Sequence, residues 1–108
     1  MRKLAVMMMC WPGLVAAWQP LDGAEITAAL TDRSLAYDQY TLQHFHKNGA
    51  TDYITERFSS GRWSVRGDQY CSTWPPSETW TCYDVDAQGD SIRFTGADGI
   101  ASVGTYTE

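Results

Sequence analysis

The sequence is short, poor in basic residues and lacks long apolar runs. Its 108 residues include eight Lys and Arg against thirteen Asp and Glu, which gives a formal net charge of −5. This length fits one small domain, whereas a barrel of the triosephosphate isomerase kind needs roughly 250 residues. Because phosphate contacts supply most of the affinity for DNA and RNA, the acidic balance argues against a nucleic-acid partner. With 44% hydrophobic residues, the chain does not have the composition of a disordered protein.

The N-terminal segment, residues 1–17, has the pattern of a secretory signal peptide. Arg2 and Lys3 form a basic start, and the apolar stretch 4–15 follows. That stretch is too short for the roughly 20 residues of a membrane-spanning helix. Val15 and Ala17 occupy the −3 and −1 positions of a cleavage site after Ala17. The alternatives are a buried N-terminal helix and a lipoprotein acylated at Cys10.

Cleavage after Ala17 leaves one predicted domain, residues 18–108, which is 91 residues long. Loss of Arg2 and Lys3 leaves six basic against thirteen acidic residues, a formal charge of −7. We therefore expect a periplasmic or secreted protein with no membrane insertion after signal removal.

Two cysteines remain in the mature chain, Cys71 and Cys82. An even count in an exported chain predicts one structural disulfide, typical of an oxidising compartment. A redox-active pair is the alternative, but catalytic pairs are usually spaced Cys-x-x-Cys. A metal site would need more ligands than these two cysteines.

Short alternating segments separated by turns predict a mainly β fold. Asp22 and Glu25 have the spacing of a capping box, so we expect one short helix over 23–31. Asn48-Gly49 predicts a tight hairpin, and residues 59–61 are expected to break a strand. The short links favour an antiparallel up-and-down meander of seven or eight strands, closed as a small barrel or curled sheet, over a sandwich. The predicted strands are 35–38, 41–46, 51–58, 62–66, 69–73, 79–86, 91–95 and 101–106.

Seven large side chains on alternating positions are expected to fill the barrel interior, with the helix closing one end. They are Trp63, Val65, Tyr83, Val85, Ile92, Phe94 and Val103.

A distinctive pattern joins Gly61-x-Trp63 to Cys71, Trp74-Pro75-Pro76 and Cys82. It resembles a family of small exported alphaproteobacterial proteins known only as a domain of unknown function. The resemblance implies a Gram-negative periplasm, and it implies no catalytic residues.

Candidates for chemistry are few. His44 and His46 share one face of a predicted strand, a spacing that suits two metal ligands, and Asp52 or Tyr53 could approach across the hairpin. A solvated or half-buried strand face is the simpler interpretation of the two histidines. The sequence contains no Gly-x-Ser-x-Gly elbow and no Gly-x-Gly-x-x-Gly loop. We therefore expect neither a cofactor nor an enzyme.

Aromatic residues cluster around the predicted disulfide loop. They predict an interaction surface, since exposed Trp and Tyr are favoured in recognition and two prolines stiffen this loop. Its candidate residues are Tyr70, Trp74, Pro75, Pro76 and Trp80. The alternative is that these rings cover the end of a small core. The leading hypothesis is a non-enzymatic periplasmic binding module for a small apolar ligand or an envelope protein. The alternatives are an inhibitor of a periplasmic hydrolase and an enzyme.

Overall fold

Nine β-strands and one α-helix make up residues 17–107, the part of the chain that the computed structural model describes. The elements are β1 (Gln19–Pro20), α1 (Gly23–Leu30), β2 (Arg33–Asp38), β3 (Thr41–Phe45), β4 (Ala50–Ile54), β5 (Phe58–Arg66), β6 (Gln69–Thr73), β7 (Thr81–Gln88), β8 (Ser91–Thr95) and β9 (Ala101–Tyr106). The predicted signal peptide and Cys10 fall almost wholly outside these residues, so export remains a prediction. The one described helix, α1, is not long and apolar enough to cross a membrane.

Strands β2 to β9 form a closed, antiparallel, up-and-down barrel, which confirms the predicted fold class. Each strand pairs with the next along the chain, and β9 returns to β2 through Leu35 opposite Tyr106 and Ala36 opposite Thr105. The short strand β1 pairs with Asp86 and Ala87 of β7, beyond the point where β6 ends. Hairpins make this topology because each connection is too short for a parallel crossover.

The hairpin turns depend on glycine where the backbone has a positive φ. Gly49 has φ +96° between β3 and β4, which confirms the Asn48-Gly49 hairpin, and Gly67 has φ +60° between β5 and β6. The predicted break at residues 59–61 is wrong, since β5 runs through it. A Cβ on Gly61 would lie 2.6 Å from both the Thr73 carbonyl oxygen and the Trp74 ring. Gly61 therefore serves close packing inside a strand.

Helix α1 closes one end of the barrel. The capping box is present, because the Asp22 side chain accepts from the Glu25 backbone and the Glu25 side chain accepts from the Asp22 backbone. The helix buries Ile26 and Leu30 completely. Tyr106 holds its last turn by donating a hydrogen bond to the Ala29 carbonyl over 2.7 Å.

The core fills the half of the barrel next to α1. It contains Ile26, Leu30, Leu35, Phe45, Trp63, Tyr70, Val85, Ile92 and Phe94. The predicted interior positions Trp63, Val85, Ile92 and Phe94 are confirmed as buried, and Val65 and Tyr83 pack against this core while partly buried. The prediction that Val103 fills the interior is wrong, because its side chain is 43% exposed. Gly104 lies opposite Ile92 and is the buried residue, and a Cβ there would lie 3.0 Å from the Leu35 Cβ.

A disulfide joins Cys71 and Cys82, as predicted. The two residues are direct partners on β6 and β7, with their Cα atoms 4.0 Å apart. The bond ties the two strands together below the 74–80 connection. A disulfide of this kind is typical of proteins from an oxidising compartment.

Candidate functional site

A cavity of about 830 Å³ occupies the end of the barrel opposite α1. Its aromatic lining consists of Tyr37, Tyr53, Tyr70, Trp74, Tyr83 and Phe94. The remaining lining residues are small or polar: Gln43, Ser59, Ser60, Ser72, Pro75, Ser102 and Val103. The expectation of a filled interior is therefore wrong for this half of the barrel. Ser59, Ser72 and Ser102 are the cross-strand partners of the inward-facing Tyr53, Trp63 and Phe94, and they take positions where large apolar side chains would have filled the space.

Among residues 17–107, no Asp, Glu, Lys, Arg or His side chain lines the cavity. This is unusual in a chain with thirteen acidic and eight basic residues. Ring faces and hydroxyl groups therefore set the chemistry of the cavity. Concave sites with a largely apolar lining and a few oriented polar groups are typical of small-molecule binding.

Gln43 organises a hydrogen-bond network at the floor of the cavity. The Tyr37 hydroxyl donates to its Oε1 over 2.7 Å. Its Nε2 donates to Thr51 Oγ1 over 3.0 Å and to the Tyr70 hydroxyl over 3.1 Å. Thr51 in turn donates to the His44 carbonyl over 2.8 Å. Because buried amides and hydroxyls are costly when unpaired, this network fixes the side chains that carry it.

The phenols of the floor stay neutral well above physiological pH. Burial raises the pKa of Tyr70 to about 12, the Ser72 and Gln43 hydrogen bonds opposing that rise. Burial also raises the pKa of Tyr37 far above its usual range, with smaller contributions from neighbouring tyrosines. The floor therefore offers polar atoms without a formal charge.

The upper wall carries hydroxyl groups that have no protein partner. Within residues 17–107, the Tyr53 and Tyr83 hydroxyls make no hydrogen bond, although both residues line the cavity. Desolvation raises the pKa of Tyr53, and the negative charge of Asp38 raises it further. These two hydroxyls are available to a ligand.

The residues of the predicted interaction surface divide between the cavity and the outside. Trp74 is half-buried at the rim, with its ring 5.7 Å from Tyr53 and nearly perpendicular to it. Pro75 lines the cavity, while Pro76 is exposed. Tyr70 is only 4% exposed and belongs to the floor, so its place on an outer surface is wrong.

Trp80 lies apart from the cavity lining. The Arg66 guanidinium covers its ring at 4.2 Å from the ring centroid. Of the five predicted residues, the cavity therefore brings together Tyr70, Trp74 and Pro75 only.

The two histidines lie outside the cavity. Their rings are 4.5 Å apart. His46 Nε2 is 2.7 Å from Asp52 Oδ2, and His44 Nδ1 is 2.6 Å from Ser34 Oγ. The hydrogen bond with His46 is the main cause that lowers the pKa of Asp52. In the described part of the chain, no group of three or more His, Cys, Asp and Glu is placed to hold a metal ion.

Sequence reasoning missed Tyr37 and Gln43 as functional candidates, and it considered Tyr53 only as a possible metal ligand beside the histidines. The signal was present in the alternation of side chains along the strands. Leu35 and Tyr37 share the inner face of β2, and Gln43 and Phe45 share that of β3. Because Phe45 lies on the inner face of β3, Gln43 two residues earlier should also be buried. A buried amide needs hydrogen-bond partners, so this position indicates a buried polar network.

Known proteins give no further guide to the cavity's ligand. The chain matches no protein family model, no curated protein and no solved structure. Its resemblance to an exported family of unknown function thus stays a prediction, and function is inferred from the cavity's own geometry and chemistry.

Proposed function

We propose that this chain is an exported, non-enzymatic binding protein that holds a small molecule in the open end of its barrel. The observation that carries this proposal is the uncharged cavity of about 830 Å³, lined by six aromatic rings and by hydroxyl groups. Its volume lies within the roughly 300–1,000 Å³ of pockets that enclose drug-sized ligands. We therefore expect a small ligand that has apolar surface and also forms hydrogen bonds.

Rigid walls support a binding role. The disulfide links β6, which carries Tyr70 and Ser72, to β7, which carries Tyr83. On the other side, the Gln43 network ties β3 to β2, β4 and β6. A site that is ordered before binding loses less conformational entropy when the ligand enters.

Export is supported by two independent features. The disulfide is typical of an oxidising compartment. The basic start and short apolar stretch before Ala17 are typical of a signal peptide. Together they favour a periplasmic or secreted protein.

Binding of the uncharged fluorophore N-phenyl-1-naphthylamine tests the proposal. We expect saturable fluorescence enhancement with purified residues 18–108. The Ser102→Trp variant should abolish it, because Ser102 lines the cavity opposite Phe94. Thr105→Trp on the same strand is the control, since Thr105 is exposed and is not part of the lining. Equal loss of fluorescence in both variants, or no enhancement with the unmodified protein, would contradict the proposal.

A protein partner at the open end is the second candidate function, in the form of an inhibitor of a periplasmic hydrolase. Large apolar side chains are exposed around this end, namely Tyr40, Phe58 and Ile100 at 75%, 66% and 69%. Such surface favours protein contacts. Inhibition assays against lysozyme and secreted proteases test this function. A Phe58→Ser variant should weaken any inhibition without changing fluorophore binding.

A further inference from the structure

Six aromatic rings form an unbroken series along the wall of the cavity. Successive ring centroids are 5.7 Å apart for Trp74 and Tyr53, 6.1 Å for Tyr53 and Tyr37, 6.4 Å for Tyr37 and Phe94, 5.1 Å for Phe94 and Tyr70, and 6.0 Å for Tyr70 and Tyr83. A ligand in the cavity therefore meets π-systems on several sides. Aromatic rings carry a negative face, which attracts organic cations.

Two carboxylates stand at the rim of the same cavity. Asp38 is the last residue of β2 and directly follows Tyr37 of the cavity lining, and its negative charge contributes to the raised pKa of the Tyr53 phenol. Asp98 lies beside Tyr83, because a Cβ on Gly96 would be 3.1 Å from Asp98 Oδ1 and 3.6 Å from Tyr83 Cε2. Neither carboxylate forms an ion pair with a residue of the described chain. Unneutralised negative charge at a cavity mouth raises the local concentration of cations.

The loops of the open end have the same sign of charge. In the described chain these loops carry Glu56, Glu78 and Asp98 against a single basic residue, Arg57, and Asp38 ends β2 next to them. An anionic ligand would meet repulsion here and would find no cationic side chain in the lining. The charge distribution therefore selects against anions.

Two other ligand classes fit the lining poorly. An acyl chain would find only Val103 and Pro75 as aliphatic partners in the lining of the described chain. A primary ammonium is a compact, strongly hydrated charge, and when it is buried in a protein it is usually paired with an opposite charge. The lining supplies no carboxylate for that purpose.

We propose that the cavity binds the quaternary ammonium headgroup of an organic cation such as choline; this deepens the proposed function and rests on it. A quaternary ammonium has no N–H group to satisfy and a diffuse charge, so aromatic faces can replace much of its hydration. Aromatic cages recognise such cations in this way. The Asp38 and Asp98 carboxylates draw the cation to the mouth, and the rings hold it inside.

Isothermal titration calorimetry with choline chloride tests this inference directly. The matched probe is 3,3-dimethylbutan-1-ol, which has the same shape as choline but no charge. We expect choline to bind at least about tenfold more tightly, the ratio given by one well-formed cation–π contact. Raising the salt concentration should weaken choline binding and leave the neutral probe unchanged, since only the cation responds to Asp38 and Asp98.

Variants at Tyr53 separate the ring from its hydroxyl. Tyr53→Phe keeps the aromatic face and should bind choline within about twofold of the unmodified protein, whereas Tyr53→Leu should lose about tenfold. Tyr40→Leu is the control, because Tyr40 is exposed at the same end and is not part of the lining. Thermal unfolding of each variant shows whether the barrel is intact.

The outcomes distinguish this inference from the proposed function. If N-phenyl-1-naphthylamine binds in the cavity while choline binds no better than its neutral isostere, the quaternary ammonium assignment is wrong and the binding function stands. If neither the fluorophore nor choline binds, both are wrong. Equal choline affinity in the Tyr53→Leu and Tyr40→Leu variants would also overturn the assignment.

Discussion

Replacing Gln43 with leucine should destabilise the barrel by about 3 kcal/mol. The Gln43 side chain makes three hydrogen bonds, of 2.7, 3.0 and 3.1 Å, and is only 5% exposed. A typical intramolecular hydrogen bond contributes about 1 kcal/mol net to stability, and an orphaned buried group costs about 1–3 kcal/mol. In the variant, Thr51 keeps its hydrogen bond to the His44 carbonyl, whereas the Tyr37 hydroxyl loses the Gln43 acceptor. Most of the destabilisation should therefore come from the unpaired Tyr37 hydroxyl. Leucine has a similar size, which limits the change in packing.

Urea unfolding followed by tryptophan fluorescence measures this change, since Trp63 lies in the core. The Tyr37→Phe variant supplies the second arm of a double-mutant cycle. Alone, it should cost about 1 kcal/mol, because it leaves Gln43 Oε1 without its donor. In the Gln43→Leu background it should cost almost nothing, so the coupling energy should be about 1 kcal/mol.

Two results would refute this reasoning. A loss of stability below about 1 kcal/mol for Gln43→Leu would mean that the network contributes little beyond shape. A coupling energy near zero would mean that the bond between Tyr37 and Gln43 does not form in solution. The first result would also weaken the picture of a cavity floor held in place before binding.

Three further predictions follow from the packing, the phenols and the disulfide. Gly61→Ala should lower the free energy of unfolding by about 1–3 kcal/mol, since its Cβ overlaps the β6 backbone and a Trp ring, and urea unfolding measures this. The raised pKa of Tyr70, about 12 when folded against 10.0 as its ordinary value, leaves stability constant below pH 10 and removes up to about 3 kcal/mol as the pH rises to 12. Unfolding curves at pH 9, 10.5 and 11.5 should show this decline, and Tyr70→Phe should reduce it; an unchanged decline would contradict the assignment. Replacing Cys71 and Cys82 with alanine should cost about 2.8 kcal/mol by loop entropy, measured by urea unfolding against the disulfide-bonded protein, and no loss would contradict the view that the bond stabilises the fold by constraining the unfolded chain.

Several features of the fold follow from local patterns. Asn48-Gly49 sets a hairpin because glycine adopts the positive φ that the turn requires. Asp22 and Glu25 begin the helix because their side chains satisfy backbone groups at its first turn. The two cysteines within residues 18–108 allow one pairing, which is the observed one. Each of these depends on residues close together in the chain.

The cavity could not be predicted in the same way. The alternation of side chains correctly predicts that Trp63 and Phe94 point into the barrel. It does not predict how far along the barrel axis each ring lies. The apolar pattern predicts Val103 in the packed interior, whereas Gly104 is the buried residue of this strand and Val103 is 43% exposed at the cavity. Likewise, Gly61 looks like a strand break until Trp74 is seen to pack on it.

The sequence by itself determined the antiparallel meander, its short helix, its disulfide and the inward side of most strands, because these follow from side-chain period, turn chemistry and cysteine count. Only the tertiary structure decided that Tyr37, Gln43, Tyr53, Trp74 and Tyr83 surround one cavity. Closing the sheet fixes the stagger between neighbouring strands. That stagger places residues from β2 to β7 at the same level along the barrel axis. The serines between them leave the space open, and the acidic loops above it set the sign of the charge at its mouth.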